Sequence, residues 1–313
     1  MTKMRHFNIA TAIFLVAYVS FAALCTAISY SPALSNKAAL WTIQTISKIR
    51  WNDGSGSFLP RFHDAVYSGA LATSEEPVQI DLSHTSDGYV GISVISDHRC
   101  KAQVLMGDQA FTCDLNKDAE PNIVPLTMGD GTYTIRVMQA RSETIDDPMF
   151  ARIAEVDCDA HITDQLSPWL IPTRSVSFSM ESECVAAAYD LLLENKVTDD
   201  ETAAVCIMLY VQSQLTYEKD ADDSDGWQHK TPDEILGAGR GLCINYATLT
   251  AAMCRSVGIP AKVVVGIVPE GRHAWNEIFI GGKWIPIDTS VPSKGLLHLS
   301  IGDADSYEPE YRY

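Results

Sequence analysis

Residues 239–290 read GRGLCINYATLTAAMCRSVGIPAKVVVGIVPEGRHAWNEIFIGGKWIPIDTS. This stretch decides the fold, because it sets three reactive residues, Cys243, His273 and Asp288, on a helix and a β-hairpin. A nucleophile, a base and an orienting carboxylate are the parts of a thiol acyl-transfer site. Apolar residues recur at Tyr246, Leu249, Met253 and Val257. That spacing predicts a helix over 245–257, ended by Gly258 at the C′ position and Pro260 beyond it. Upstream, Gly237, Gly239 and Gly241 predict a loop, since glycine is costly inside a helix. Cys243 is therefore expected in the first helical turn. The free N–H groups and positive dipole end there favour thiolate over thiol. A backbone N–H of that turn can also donate to an oxyanion.

Residues 273–280 and 283–288 read as two strands around Gly281-Gly282, a two-residue hairpin signal. The turn sets the register: Ile280 pairs with Lys283, Glu277 with Pro286, and Trp275 with Asp288. His273 shares a face with Trp275, because side chains alternate along a strand. His273 and Asp288 are then diagonal neighbours roughly 7–8 Å apart, which two side chains can bridge. A slip of one residue would send them to opposite faces.

These residues carry a resemblance. Gly237-x-Gly239-Arg-Gly241-x-Cys243-x-Asn245-Tyr246-Ala247, then Gly-Ile-Pro-Ala at 258–261, His-Ala-Trp-Asn-Glu at 273–277 and Trp-Ile-Pro-Ile-Asp-Thr-Ser at 284–290 together resemble the core of the transglutaminase-like superfamily. The likeness covers about residues 180–300. It implies a papain-like α+β fold, with a helix bearing the nucleophile packed on an antiparallel sheet bearing His and Asp. It also implies acyl chemistry, in which Cys243 attacks an amide carbonyl, His273 protonates the leaving amine, and water or an amine resolves the thioester. Crosslinkers, peptidases, amidases and inactive members share the family. Asn245 and Tyr246 flank the nucleophile in the family's pattern and take support roles. Trp275 and Trp284 are candidates for a cleft wall, with sheet packing the simpler reading of Trp284.

Singly, a cysteine at a helix start is more often a buried small hydrophobe, and an aspartate after Pro-Ile more often a turn residue. Order and local context together favour the triad. Cys254, on the same helix without a glycine loop before it, reads as core, and so does Cys206 in an apolar helical run.

The 313-residue chain is long enough for two domains and carries a net charge of −17. Such an acidic balance argues against nucleic acid and against charge-driven docking on anionic lipid. Lys3 and Arg5 precede an apolar run over 9–28, longer than a usual signal-peptide core and near the length that spans a bilayer. Residues 1–35 thus read as a signal peptide or membrane anchor, which puts the remainder outside the cytoplasm, secreted or anchored. Seven cysteines follow Cys25, an odd number that leaves at least one thiol free. Cys100 and Cys113 flank a hairpin signal and are disulfide candidates in an oxidising compartment; Cys158 with Cys184 is a second pairing.

Residues 36–77 read as a short helix and linker. Residues 78–179 hold short strand signals at 90–95, 102–105, 110–115, 133–137 and 151–156, which predict a small all-β, sandwich-like domain. Residues 180–313 form the catalytic domain, opening with helices. Thr198…Glu201 and Thr231…Glu234 are capping-box signals. The acidic run 219–226 does not fit a calcium loop, because its glycine comes one place late and no glutamate closes it. No metal-ligand or cofactor motif is found, so neither metal nor cofactor is expected.

The functional expectation is an exported thiol enzyme acting on peptide or protein amides, a cysteine peptidase, amidase or protein-glutamine transamidase. Its substrate would be a peptide or protein, cell-wall peptide being one candidate, and the membrane would be met only through the N-terminal segment. The alternative is a catalytically silent binding or scaffold protein of the cell surface.

Overall fold

The computed structural model describes residues 61–69, 77–141, 149–218, 229–291 and 307–313. The expected export segment, most of the helix and linker, and the acidic run 219–226 lie outside the described residues. Among the described residues no helix is long and apolar enough to cross a membrane.

Seven strands come first: β1 (Val78–Asp81), β2 (Tyr89–Val94), β3 (Cys100–Met106), β4 (Gln109–Leu115), β5 (Asn122–Pro125), β6 (Gly131–Ala140) and β7 (Phe150–Ala160). They form two antiparallel sheets, β1-β2-β5 and β4-β3-β6-β7. Burial alternates along β3, in keeping with the period of two. Inward residues of both sheets, among them Ile80, Ile92, Val104 and Ile135, make one core cluster. The sandwich-like reading therefore holds, and β1 and β5 are additions to it. The proposed disulfides are absent, and Cys100, Cys113, Cys158 and Cys184 are free thiols. In the β3–β4 register Cys100 faces Leu115 and Cys113 faces Ala102, so the two are offset by two residues instead of opposed.

Four helices and six strands follow: α1 (Glu183–Glu194), α2 (Asp200–Gln214), β8 (Thr216–Tyr217), α3 (Pro232–Ala238), β9 (Arg240–Gly241), α4 (Cys243–Ser256), β10 (Ala261–Val268), β11 (Gly271–Ile280), β12 (Lys283–Ile287) and β13 (Glu308–Arg312). The cap of α2 falls one residue later than the sequence suggested: Asp199, not Thr198, accepts from the N–H of Thr202 at 2.8 Å. A carboxylate at that position satisfies an orphan donor and also meets the positive dipole end. The Thr231–Glu234 capping box is present. Gly237 lies in the last turn of α3 and not in a loop; Gly239, at φ +63°, is the residue that ends this helix.

The four-stranded sheet of this unit runs β12-β11-β10-β13, all antiparallel. Helix α4 is buried almost all round, as expected of a helix enclosed by other elements. Its residues share a core with β10, β11, α1 and α2. This is the papain-like α+β arrangement, a central helix against an antiparallel sheet. Arg255, fully buried near the end of α4, ties its surroundings together. Its guanidinium donates to the carbonyls of Ala261 (2.8 Å), Ile171 (3.1 Å) and Tyr313 (2.9 Å). The stretch 61–69 bridges the two units: Arg61 N–H donates to Val257 O at 3.2 Å, and Ser68 and Gly69 N–H donate to the buried Asp81 carboxylate.

Candidate active site

Cys243 is the first residue of α4, after Leu242 in extended conformation. The Asn245 side chain turns back, and its Oδ1 accepts from the Leu242 N–H at 2.9 Å. Gly241 must be glycine for this: a Cβ there would lie 2.7 Å from Asn245 Oδ1. Parallel pairing of β8 with β9 anchors the loop from the other side, Tyr217 opposite Gly241. Tyr246 adds a buried bond from its hydroxyl to Leu215 O at 2.8 Å. The nucleophile candidate is thus held on both flanks, and Cys243 is 6 % exposed.

The hairpin register agrees with the one expected: Ile280 faces Lys283, Glu277 faces Pro286 and Asn276 faces Ile287. Gly281 and Gly282 both take positive φ, +60° and +81°, a turn that side-chain-bearing residues make only under strain. Asp288 follows directly on β12. His273 Nε2 and Asp288 Oδ2 are 2.7 Å apart. The other carboxylate oxygen accepts from the Ser290 N–H (2.9 Å) and hydroxyl (2.6 Å), and the Tyr307 hydroxyl donates to Oδ2 at 3.2 Å. The Tyr307 ring also lies edge-on to both His273 (6.1 Å) and Trp275 (5.0 Å).

Electrostatics follow from these contacts. Burial alone would lower the His273 pKa, but hydrogen bonds to Asp288 and to the Cys243 side chain, with the charges of both, outweigh it and raise it to about 10. Burial would raise the Asp288 pKa; its bonds to His273 and Ser290 overcome that and hold it below the usual carboxylate range. With Nε2 committed to Asp288, Nδ1 is the ring nitrogen left for Cys243. Cys254 and Cys206 are fully buried, and burial pushes both thiols up to about 12.

Asn276 sets the distance between sheet and helix. It is fully buried, and its Nδ2 donates to Ala247 O on α4 and to Lys262 O on β10, both at 2.9 Å. Ala247 is one turn from Cys243. Neither tryptophan forms an open cleft wall: Trp275 is 2 % exposed beneath Tyr307, and Trp284 packs against Trp169 and Phe279 with Lys262 Nζ 3.7 Å over its ring.

Two residues at this site escaped the sequence reading. Burial raises the Tyr217 pKa, and the neighbouring Cys243 side chain raises it further. Tyr307, beyond the motif block, contacts Asp288. A tyrosine closing a helix-to-strand transition after α2 was the available signal for Tyr217. Nothing local marks Tyr307. Among the described residues no group of three His, Cys, Asp or Glu side chains is placed to hold a metal ion.

Residues 190–289 match the family model of the transglutaminase-like superfamily, and the chain carries a transglutaminase-like domain over that stretch. Over 91 residues it is 32 % identical to an uncharacterized protein of Mycobacterium leprae (strain TN), a match covering 25 % of this chain and 33 % of that one. Over 111 residues it is 27 % identical to the kyphoscoliosis peptidase of Homo sapiens, covering 32 % of this chain and 17 % of that one. The match therefore spans a third or less of these relatives' length. Among solved structures, red sea bream transglutaminase aligns over 66 % of this chain and 49 % of its own at 12 % identity, TM-score 0.30. Legionella pneumophila LapG aligns over 41 % and 70 % at 19 % identity, TM-score 0.33.

Proposed function

We propose that the chain is a thiol enzyme that cleaves or exchanges peptide or protein amides through Cys243, His273 and Asp288. The observation that carries this is His273 bonded through Nε2 to Asp288 at 2.7 Å while it also engages Cys243 at a helix start. The Cys243 sulfur attacks the amide carbonyl, an S–C bond forms, and the oxyanion accepts from the Cys243 N–H. His273, protonated at neutral pH, gives its Nδ1 proton to the departing nitrogen as the C–N bond breaks. Water or an amine then attacks the thioester and yields its proton to Nδ1, and the sulfur leaves. Asp288 orients the imidazole and stabilises its cation. Hydrolysis and transamidation share every residue and differ in what reaches the thioester. Abundant water outside the cytoplasm, where the N-terminal apolar run would place the domain, favours hydrolysis or a dual capacity.

The test is incubation of the chain with cell-wall peptides and with a glutamine-bearing protein plus a labelled amine, read by mass spectrometry for cleavage, deamidation and amine incorporation. One of these is expected, and Cys243→Ala should abolish it. Labelling with a thiol-directed electrophile at pH 6 gives a second readout: Cys243 reacting no faster than in the denatured chain would support the scaffold alternative.

A further inference from the structure

A cavity of about 620 Å³ lies between the β-rich unit and the helix–sheet unit. Among the described residues, Arg99, Lys101, Arg174, Lys230 and Arg272 line it, against one acidic side chain, Asp114. The chain as a whole runs the other way, with 23 Lys and Arg against 40 Asp and Glu. Five of those cations therefore converge on one concave surface of an acidic protein, where low-dielectric walls concentrate the field. Ile244, Val263 and Tyr313 add apolar and aromatic surface.

Among the described residues, no carboxylate forms an ion pair with Lys101, Arg174 or Lys230. Arg99 Nε and Nη2 donate to Asp114 Oδ1 at 3.2 and 3.1 Å, which uses the one carboxylate. Lys101 Nζ sits 4.9 Å over the Phe150 ring, a contact that keeps its full charge. The Nε of Arg174 is shut off from solvent and has no hydrogen-bond partner among the described residues. A buried unpaired donor of this kind calls for an acceptor. The cations come from four separate places: the β3 region, the segment before α1, the approach to α3, and β11. That spread suits several carboxylates spaced along a chain better than one compact anion. The cavity volume is in the range of ligand sites. Ile244 follows Cys243 and Arg272 precedes His273, yet Cys243, His273 and Asp288 are not part of its lining.

We propose that this cavity binds the carboxylates of an acidic peptide segment. Arginine suits the role, because its planar fork matches a carboxylate. Where that segment belongs to the substrate, the site gives the enzyme a preference for acidic sequence beside the reacting amide. This last link rests on the function proposed above, whereas the binding itself does not.

The test uses the full chain carrying Cys243→Ala and a fluorescent, glutamate-rich hexapeptide, with its glutamine counterpart as control, read by anisotropy. The glutamate peptide is expected to bind at least tenfold tighter, with an advantage that shrinks as salt rises from about 0.05 to about 0.5 M. Arg174→Gln and, separately, the more peripheral Lys230→Gln should each weaken it at least fivefold, with unchanged circular dichroism. Equal affinity for the two peptides, or affinity indifferent to both substitutions, overturns the proposal. Citrate serves as a free polycarboxylate: citrate binding that both substitutions weaken, without binding of the glutamate peptide, makes the ligand a free anion and also overturns it. Turnover is not read, so failure here leaves the thiol chemistry untouched, and an inert Cys243 leaves this binding untouched.

Discussion

His273 Nε2 meets Asp288 Oδ2 at 2.7 Å because the hairpin register sets the two residues diagonally across β11 and β12. The carboxylate is saturated: Ser290 supplies two donors to one oxygen, and Tyr307 supplies one to the other. Such a group is held rigidly and stays ionised in a buried setting. Replacing it with an amide keeps the shape but removes the charge and the tautomer preference. Asp288→Asn is therefore expected to cut kcat by several orders of magnitude, on the order of the 10⁴ seen for the corresponding change in serine proteases. Steady-state kinetics with a thermal melt checks this: a large loss of rate should come with a melting temperature within a few degrees of the parent.

The pH dependence of stability follows from the same pair. His273 has its pKa raised from 6.5 to about 10 in the folded chain. Its stabilising contribution is thus fully present below 6.5 and is lost as pH rises through about 10. Denaturant midpoints measured from pH 6 to pH 10 should fall more steeply for the parent than for His273→Gln, which lacks the group. Parallel curves would mean that the imidazole is not charged in the folded state.

Tyr217 offers a prediction that motif reading alone would not make. Its pKa is raised by burial and then by the Cys243 side chain beside it, which puts the hydroxyl next to the nucleophile. Tyr217→Phe keeps the ring contact with Tyr246, centroids 6.0 Å apart, and removes only the oxygen. Loss of a donor at such a place costs on the order of 10²–10³ in kcat; with the Cys243 N–H still in place, a fall of about 10–100-fold with KM little changed is expected. Single-turnover acylation rates test it, and an unchanged rate would sink the assignment.

What could be read in advance was what local sequence encodes. Gly281-Gly282 dictates a tight turn, and the turn carries the register of His273 and Asp288 with it. The helix start was legible for the same reason, although Asn245, by accepting from the Leu242 N–H three residues before it, places it two residues earlier than apolar spacing alone suggested. Tyr217, Tyr307 and Arg255 were not legible as partners of the site or core, because each acts over a long sequence separation: Tyr217 is 26 residues before Cys243, Tyr307 is 19 after Asp288, and Arg255 reaches Ile171 and Tyr313. The capping of α2 slipped by one residue for a different reason. Thr198 and Asp199 are both good caps, and only packing of the helix decides between them.

Asn276 shows how fold and site are coupled. Its amide joins β11, β10 and α4 through two bonds of 2.9 Å, and one acceptor, Ala247 O, is a single turn from Cys243. Asn276→Ala removes both bonds in a fully buried place, where each is worth about 1 kcal/mol net and the stranded carbonyls add desolvation. A loss of about 2–4 kcal/mol is expected, which most domains of about 5–15 kcal/mol survive. Folded protein should therefore remain at low temperature, with a lower urea midpoint and an unchanged m-value. In that folded protein α4 is no longer fixed against β11, and the Cys243–His273 approach loosens. Small misplacement of reacting groups is costly, up to about 100-fold for 1 Å. Activity measured well below the melting transition should hence fall by about tenfold or more, beyond any loss from unfolding. Thiol labelling of Cys243 under the same conditions should slow in parallel, because the imidazole that engages the sulfur has moved. A variant that is destabilised yet fully active would show instead that Asn276 supports the core alone.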